Sequence, residues 1–203
     1  MPSDVELLEA WRGGDPAAAE ALLERHFATL CRFFRNKVDA GVEDLIQQTL
    51  LTCLERRERF PEAWSFKTFL LVVARDQLYA HYRRARRQLD VTQTSVADLS
   101  PTPSTIVAKR QEHALVLEAL RRLPLEMQVL LELRFWEGLT GPELARIQSV
   151  SEGTVRSRLR LARERLRREV ERLASTRFRG QSDALDFEAW AVEVRADVAD
   201  SST

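Results

Sequence analysis

The side chains best equipped for chemistry in this chain are guanidinium groups. Seven of them, Arg156, Arg158, Arg160, Arg163, Arg165, Arg167 and Arg168, crowd the last thirteen residues of the stretch LTGPELARIQSVSEGTVRSRLRLARERLRR, residues 139–168. A guanidinium stays charged at neutral pH and presents its N–H donors in a rigid fork. It therefore recognises phosphates and guanine edges and does no acid–base catalysis. At helical spacing Val155, Leu159, Ala162 and Leu166 fall on one narrow stripe, the face to be buried. Gly153, Ser157 and Arg160 lie opposite, with Arg156, Arg163 and Arg167 on one flank and Thr154, Arg158 and Arg165 on the other. Small residues in the leading turns let the backbone approach base edges, and the arginines serve guanine or phosphate.

The elements around this helix decide between two uses of it. An arginine-rich helix alone suits the solvated face of an ordinary bundle. Here Thr140 and Glu143 form an S/T-x-x-E capping box, which predicts a short helix from Gly141 with Pro142 in its first turn. Leu144 and Ile147 are its apolar anchors, Gln148–Val150 the turn, and Ser151 the cap of the basic helix. A capped short helix, a turn and a basic helix make a helix-turn-helix, built to enter a DNA major groove.

Helical periodicity dominates the remainder, with no convincing strand alternation and no internal repeat. Asp15-Pro16 predicts a helix through about Lys37, with Leu22, Leu23, Leu30, Phe33 and Phe34 on its apolar side. Asp39-Ala40-Gly41 breaks it, and a second helix follows from about Val42 to Arg57. A loop, Arg59 to Trp64, precedes Ser65, which can cap a third helix reaching about Gln88. Residues 89–107 turn rich in Ser, Thr and Pro and read as a linker. A second helical unit runs from about Lys109 to Ala174, broken near Pro124 and at Gly138. The fold class expected is all-α: two small helical domains joined by a flexible linker, the second a helix-turn-helix domain.

Composition narrows the function classes. The 203 residues carry 31 basic and 31 acidic side chains, a zero sum that conceals positive clusters at Arg75–Arg87 and Arg156–Arg172 and an acidic tail after Arg179. Local fields steer DNA, so the zero sum is a weak objection. Cys31 and Cys53 lack a CxxC partner and His26, His81 and His113 are scattered, so neither a disulfide framework nor a metal site is expected. Both thiols should be reduced and buried. No phosphate-cradling glycine loop or nucleophile constellation points to an enzyme or a cofactor. With no apolar run of membrane-spanning length and no signal peptide, a cytoplasmic protein without membrane insertion is expected.

Three blocks, in order, carry a family resemblance: DLIQQT (44–49), RFPEAWSFKTFLLVVARDQLYAHYRRARR (59–87) and LRRLPLEMQVLLELRFWEGLTGPELARIQSVSEGTVRSRLRLARERLRR (120–168). The chain resembles an extracytoplasmic-function sigma factor of the sigma-70 family over roughly residues 4–173. The resemblance implies core RNA polymerase and promoter DNA as partners, with an anti-sigma factor as a further candidate. It implies a region 2-like domain at 1–88, a linker at 89–108 and a region 4-like domain at 109–174. Asp44, Gln47 and Gln48 would dock on the polymerase clamp. The loop and helix bearing Phe60, Trp64, Ser65, Lys67, Arg75, Tyr79, Tyr82, Arg83, Arg84, Arg86 and Arg87 would capture and open the −10 element. Trp64 would stack on an unpaired base or seal a core edge. Glu152, Thr154, Arg156, Ser157, Arg158 and Arg160 would read the −35 element, Glu152 by accepting from cytosine or by complementing the helix dipole. The linker would thread along the polymerase channel toward the RNA exit path.

The chain departs from the family pattern at four places. Gln48 stands for the usual acid, Asp76 for Asn, Ala80 for Asp, and Gln148-Ser149 for Leu-Gly. Ser149 must then take a backbone conformation easier for glycine. Residues 175–203 lie beyond the resemblance. There Phe187, Trp190, Ala191, Val194 and Val198 keep helical spacing among acids, for a short amphipathic helix that folds back on the DNA-binding surface, packs on the second domain, or stays a disordered tail. The competing function is a stand-alone helix-turn-helix regulator that binds DNA without polymerase.

Overall fold

The computed structural model describes residues 1–56, 61, 64–85, 90–99 and 111–177. Its regular elements are nine α-helices among those residues: α1 (Asp4–Arg12), α2 (Pro16–Arg35), α3 (Val42–Glu55), α4 (Phe66–Ala85), α5 (Val96–Leu99), α6 (Gln111–Arg121), α7 (Leu125–Phe135), α8 (Gly141–Gln148) and α9 (Glu152–Arg177). The all-α expectation holds. Phe60, Arg86, Arg87, the late linker and the segment after Arg177 lie outside the described residues.

Local chemistry explains most boundaries. The Asp15 carboxylate accepts the Ala17 N–H at 2.9 Å and Pro16 opens α2, as expected from the sequence. Gly41 adopts φ 78° at the head of α3, a left-handed turn that glycine takes without penalty. Ser65 Oγ accepts the Thr68 N–H at 3.1 Å to start α4. The helix α1 is an addition to the elements expected from the sequence. Ser3 and Glu6 cap it reciprocally, and Asp4 ties it to Arg25 and His26 of α2 at 2.6 and 2.7 Å. Its Trp11 meets Phe66 edge to face, with centroids 5.9 Å apart.

The first half of the linker is structured. Asp90 accepts from the backbone and hydroxyl of Thr92, and Ser95 and Asp98 cap the short α5. The N–H groups of Leu125 and Glu126, at the head of α7, donate to the carbonyls of Thr94 and Val91 at 2.9 and 3.0 Å. Residues 90–95 are thereby stitched to the second helical unit.

The two units close on one another. One apolar core runs from Leu22, Leu30, Phe34, Phe66, Leu70 and Leu78 of the first into Leu125, Val129, Leu133, Leu144 and Ile147 of the second. A smaller core, including Leu117, Leu120, Trp136, Ala162 and Leu166, holds α6, α7 and α9 together. Among the described residues of α4 only Arg83 and Arg84 are exposed, because α3 covers one side of the helix and α8 the other.

Candidate nucleic-acid interface

The helix-turn-helix forms as the sequence predicts. The Glu143 carboxylate accepts the Thr140 N–H at 2.8 Å and its hydroxyl at 2.6 Å. Ser149 adopts φ 56°, ψ 42° and closes α8 in the left-handed region, where glycine would be easier. Ser151 Oγ accepts the Thr154 N–H at 3.1 Å and starts α9. Val155, Ala162 and Leu166 are buried, with Leu159 half-buried beside them. Glu152, Arg156, Ser157 and Arg160 are exposed on the far side and Thr154 is half-exposed, so a continuous polar and basic surface faces solvent. Arg158 differs, because its guanidinium is paired with Glu126 of α7.

A second surface lies on α3. Asp44, Gln47, Gln48 and Leu51 are exposed together on one side, while Leu45, Ile46, Thr49 and Cys53 point inward. Leu50 and Leu54 border an apolar groove against Trp11, Leu23 and Phe27. Burial pushes the Cys53 thiol up to about 12 and raises that of Cys31, so neither is a nucleophile at neutral pH.

The third surface, along α4, is only partly open. Arg83 and Arg84 at its C-terminal end are exposed. Nearer the start, Lys67 is paired with Glu137 at 2.8 Å and Ser65 is occupied in capping. Trp64 is half-buried and packs on the large core, the core-sealing alternative. Arg75 holds Asp76 at 2.6 Å, which neutralises the acid that stood out in the sequence, and it reaches Ser149 Oγ at 3.5 Å. Burial pushes the Tyr79 hydroxyl up to about 12, and that hydroxyl has no hydrogen-bond partner among the described residues.

Comparison with known proteins settles the family. Residues 19–88 match the family model for sigma-70 region 2, and residues 113–166 match that for sigma-70 region 4. The RNA polymerase sigma factor RpoE of Cereibacter sphaeroides is 31% identical over 170 residues, spanning 82% of this chain and 94% of that protein. BldN of Streptomyces coelicolor is 30% identical over 159 residues, 75% of this chain but 60% of its own length. The chain belongs to the extracytoplasmic-function sigma factors. In fold it is similar to a solved sigma factor, crystallised with the anti-sigma factor NepR from Bartonella quintana. The TM-score is 0.55 at 20% identity, covering 74% of this chain and 93% of that one.

Within this sigma factor one expected DNA contact needs correction. Tyr82 is 5% exposed and its hydroxyl donates to the Lys37 carbonyl, so it serves the core. Its spacing contained the signal: Tyr82 follows Leu78 by four residues and Ala74 by eight, on the buried side of α4. Sequence patterns also miss the charged residues joining the two units. Glu137, between α7 and α8, accepts from Arg32 of α2 at 2.8 Å and from Lys67 of α4. Lys37 is wholly buried and paired with Glu132 of α7, whose carboxylate also accepts from Asn36 and Gln128 at 3.2 and 2.9 Å. Arg121 binds Asp39 at 2.9 Å. No local pattern marks such pairs, because their members stand 70 to 105 residues apart in the chain.

Proposed function

We propose that this sigma factor directs initiation by holding core polymerase through Asp44, Gln47 and Gln48 and the promoter at two places. Thr154, Arg156, Ser157 and Arg160 read the −35 element as duplex, with Arg158 joining once it leaves Glu126. Lys67, Arg75, Tyr79, Arg83 and Arg84 hold the −10 strand, with Phe60, Arg86 and Arg87 carried over from the resemblance. Trp64 and Ser65 belong to this reading as the base of the capture loop. The observation that carries it is the exposure, on three separate helices of one chain, of a polar clamp-docking face and two arginine-bearing DNA faces.

The protein does no chemistry of its own in this reading, binds no cofactor, and works in the cytoplasm. Among the described residues no helix is long and apolar enough to cross a membrane. A partner of the anti-sigma kind fits the same reading, since the solved relative is held by one. The exposed α3 face weighs against a stand-alone regulator, which has no use for a polymerase-docking surface. Reconstitution with core polymerase on a promoter library tests the proposal. The wild type should create new start sites, and Asp44→Ala/Gln47→Ala should lose them while keeping affinity for a −35 duplex. New start sites that survive the double substitution remove α3 from the docking role.

A further inference from the structure

The helix α9 carries nine arginines against four glutamates, and its positive charge is unevenly answered. Arg167, Arg168 and Arg172 are paired within the helix to Glu171, Glu164 and Glu169, and Arg158 is paired with Glu126 of α7. Arg160, Arg163 and Arg165 are exposed and hold no carboxylate among the described residues. Arg163 lies over the Phe135 ring at 4.8 Å, and Arg165 reaches the Met127 sulfur at 3.8 Å. Among these cations Leu161 is 38% exposed, a large apolar side chain open to solvent. Leu161, Arg165 and Arg168 follow at i, i+4 and i+7, so they make one row along the helix.

The sequence that follows α9 has the opposite character. Residues 183–200, outside the described residues, carry six acids and one arginine. At helical spacing Phe187, Trp190, Ala191, Val194 and Val198 fall on one stripe, and Asp186, Glu193, Asp197 and Asp200 form a row along one edge of it. Only residues 178–182 separate this pattern from the end of α9. That is five residues including Gly180, the length of a short connection between antiparallel helices. Eighteen residues of helix rise about 27 Å, enough to run back along α9 to about Arg160. In that register Asp200 comes beside Arg160, Asp197 beside Arg163, and Val198 opposite Leu161. The acids thus meet the stretch of α9 whose cations lack carboxylates of their own.

We propose that residues 183–200 form a helix that docks antiparallel on α9, its apolar stripe over Leu161 and the arginine stems and its acid row against Arg160, Arg163 and Arg165. Arginine stems are apolar enough to pack beneath valine and tryptophan, and a guanidinium is attracted to the face of an indole such as Trp190. Exposed ion pairs contribute little each and are screened by salt, so the docked segment is readily displaced. One consequence rests on the −35 reading above. Arg160 belongs to both surfaces, so the segment and the −35 duplex compete for it.

Crosslinking of the full-length chain reads the docking directly. In Leu161→Cys/Val198→Cys a short bismaleimide should join the thiols at least about fivefold faster than in Leu161→Cys/Ala196→Cys, because docking gives only the first pair a high effective concentration. Ala196 falls on the side of the segment away from its apolar stripe. The native thiols are buried, so treated wild type supplies the background. Equal rates in the two variants would overturn the docking. Competition is read separately, as affinity of the full-length chain for a −35 duplex. Trp190→Ala/Val194→Ala keeps every charge and removes the apolar anchor. It should bind roughly threefold or more tighter than wild type, because release of the segment raises the competent fraction. Unchanged affinity would overturn the competition. If wild type and variant both bind the −35 duplex no better than a scrambled one, the −35 reading fails, and the crosslinking rates decide the docking alone.

Discussion

Lys37 has no exposed side-chain surface, yet it carries an ammonium group at the meeting of α2 and α7. Burial lowers its pKa, and the Glu132 carboxylate beside it only partly restores it. A lowered lysine means the unfolded chain binds the proton more tightly, so this group's contribution to stability improves as pH rises toward the ordinary lysine range. Keeping the charge inside at neutral pH is costly, and the pair is tolerated because each member satisfies the other. Lys37→Met should therefore destabilise the fold by roughly 3–5 kcal/mol, since it strands Glu132. Lys37→Met/Glu132→Gln should recover most of that, because the amide oxygen still accepts from Asn36 and Gln128. Urea unfolding of the three proteins checks both statements, and a double variant no better than the single would exclude the stranded charge as the cause. On the DNA side, Arg160 is exposed while Arg158 is held by Glu126. Arg160→Ala should weaken −35 binding by roughly 1–3 kcal/mol if it forks onto a guanine, with the loss confined to promoters bearing that base. Binding assays across single-base variants of the −35 duplex would show a uniform loss instead if Arg160 touches only phosphate.

At the scale of elements, the turn between α8 and α9 stores a small strain in Ser149, the one non-glycine residue with positive φ among those described. Ser149→Gly should raise stability by about 1 kcal/mol, the usual penalty for a side chain in that region. The denaturation midpoint should rise with an unchanged slope, and a fall would mean that the Arg75 contact outweighs the strain. Residue chemistry of this kind makes α2, α8 and α9 legible in the sequence. Asp15-Pro16, Thr140 with Glu143, and Ser151 are local signals, and the basic face of α9 follows from periodicity alone. The helices α1 and α5 are not legible in that way. Nine and four residues are too few to stand on propensity, and both exist because they dock, α1 through Trp11 on Phe66 and α5 through Val96 in the main core. The α4 surface is legible only in part. Its arginines announce themselves, but which of its aromatics face inward depends on α3 and α8 covering it from both sides.

For the molecule as a whole, pH offers a way to ask what holds the two helical units together. Burial alone would raise the Glu137 carboxyl, but hydrogen bonds and charge from Arg32 and Lys67 outweigh it and hold the group below the ordinary glutamate range. The groups facing it are Arg32 and Thr29 from α2 and Lys67 from α4, with Lys37 more distant. A depressed folded-state value means the stabilisation is complete above the ordinary glutamate range and is lost as pH falls through the depressed value. Glu137→Gln should thus be less stable than wild type by roughly 2 kcal/mol at about pH 7, the scale of hydrogen bonds to a buried charge. The gap should close only once pH falls below the depressed folded-state value, where the wild-type carboxyl is itself neutral. Asp4 and Glu143 are also depressed and contribute to acid unfolding, but they do so equally in both proteins and cancel in the difference. Paired urea titrations of the two proteins, from neutral pH down the acid limb, make the comparison. A gap that persists in acid would mean that shape, rather than the charge of Glu137, holds the helix-turn-helix against α4, with the apolar contacts around Leu144 and Ile147 carrying that interface.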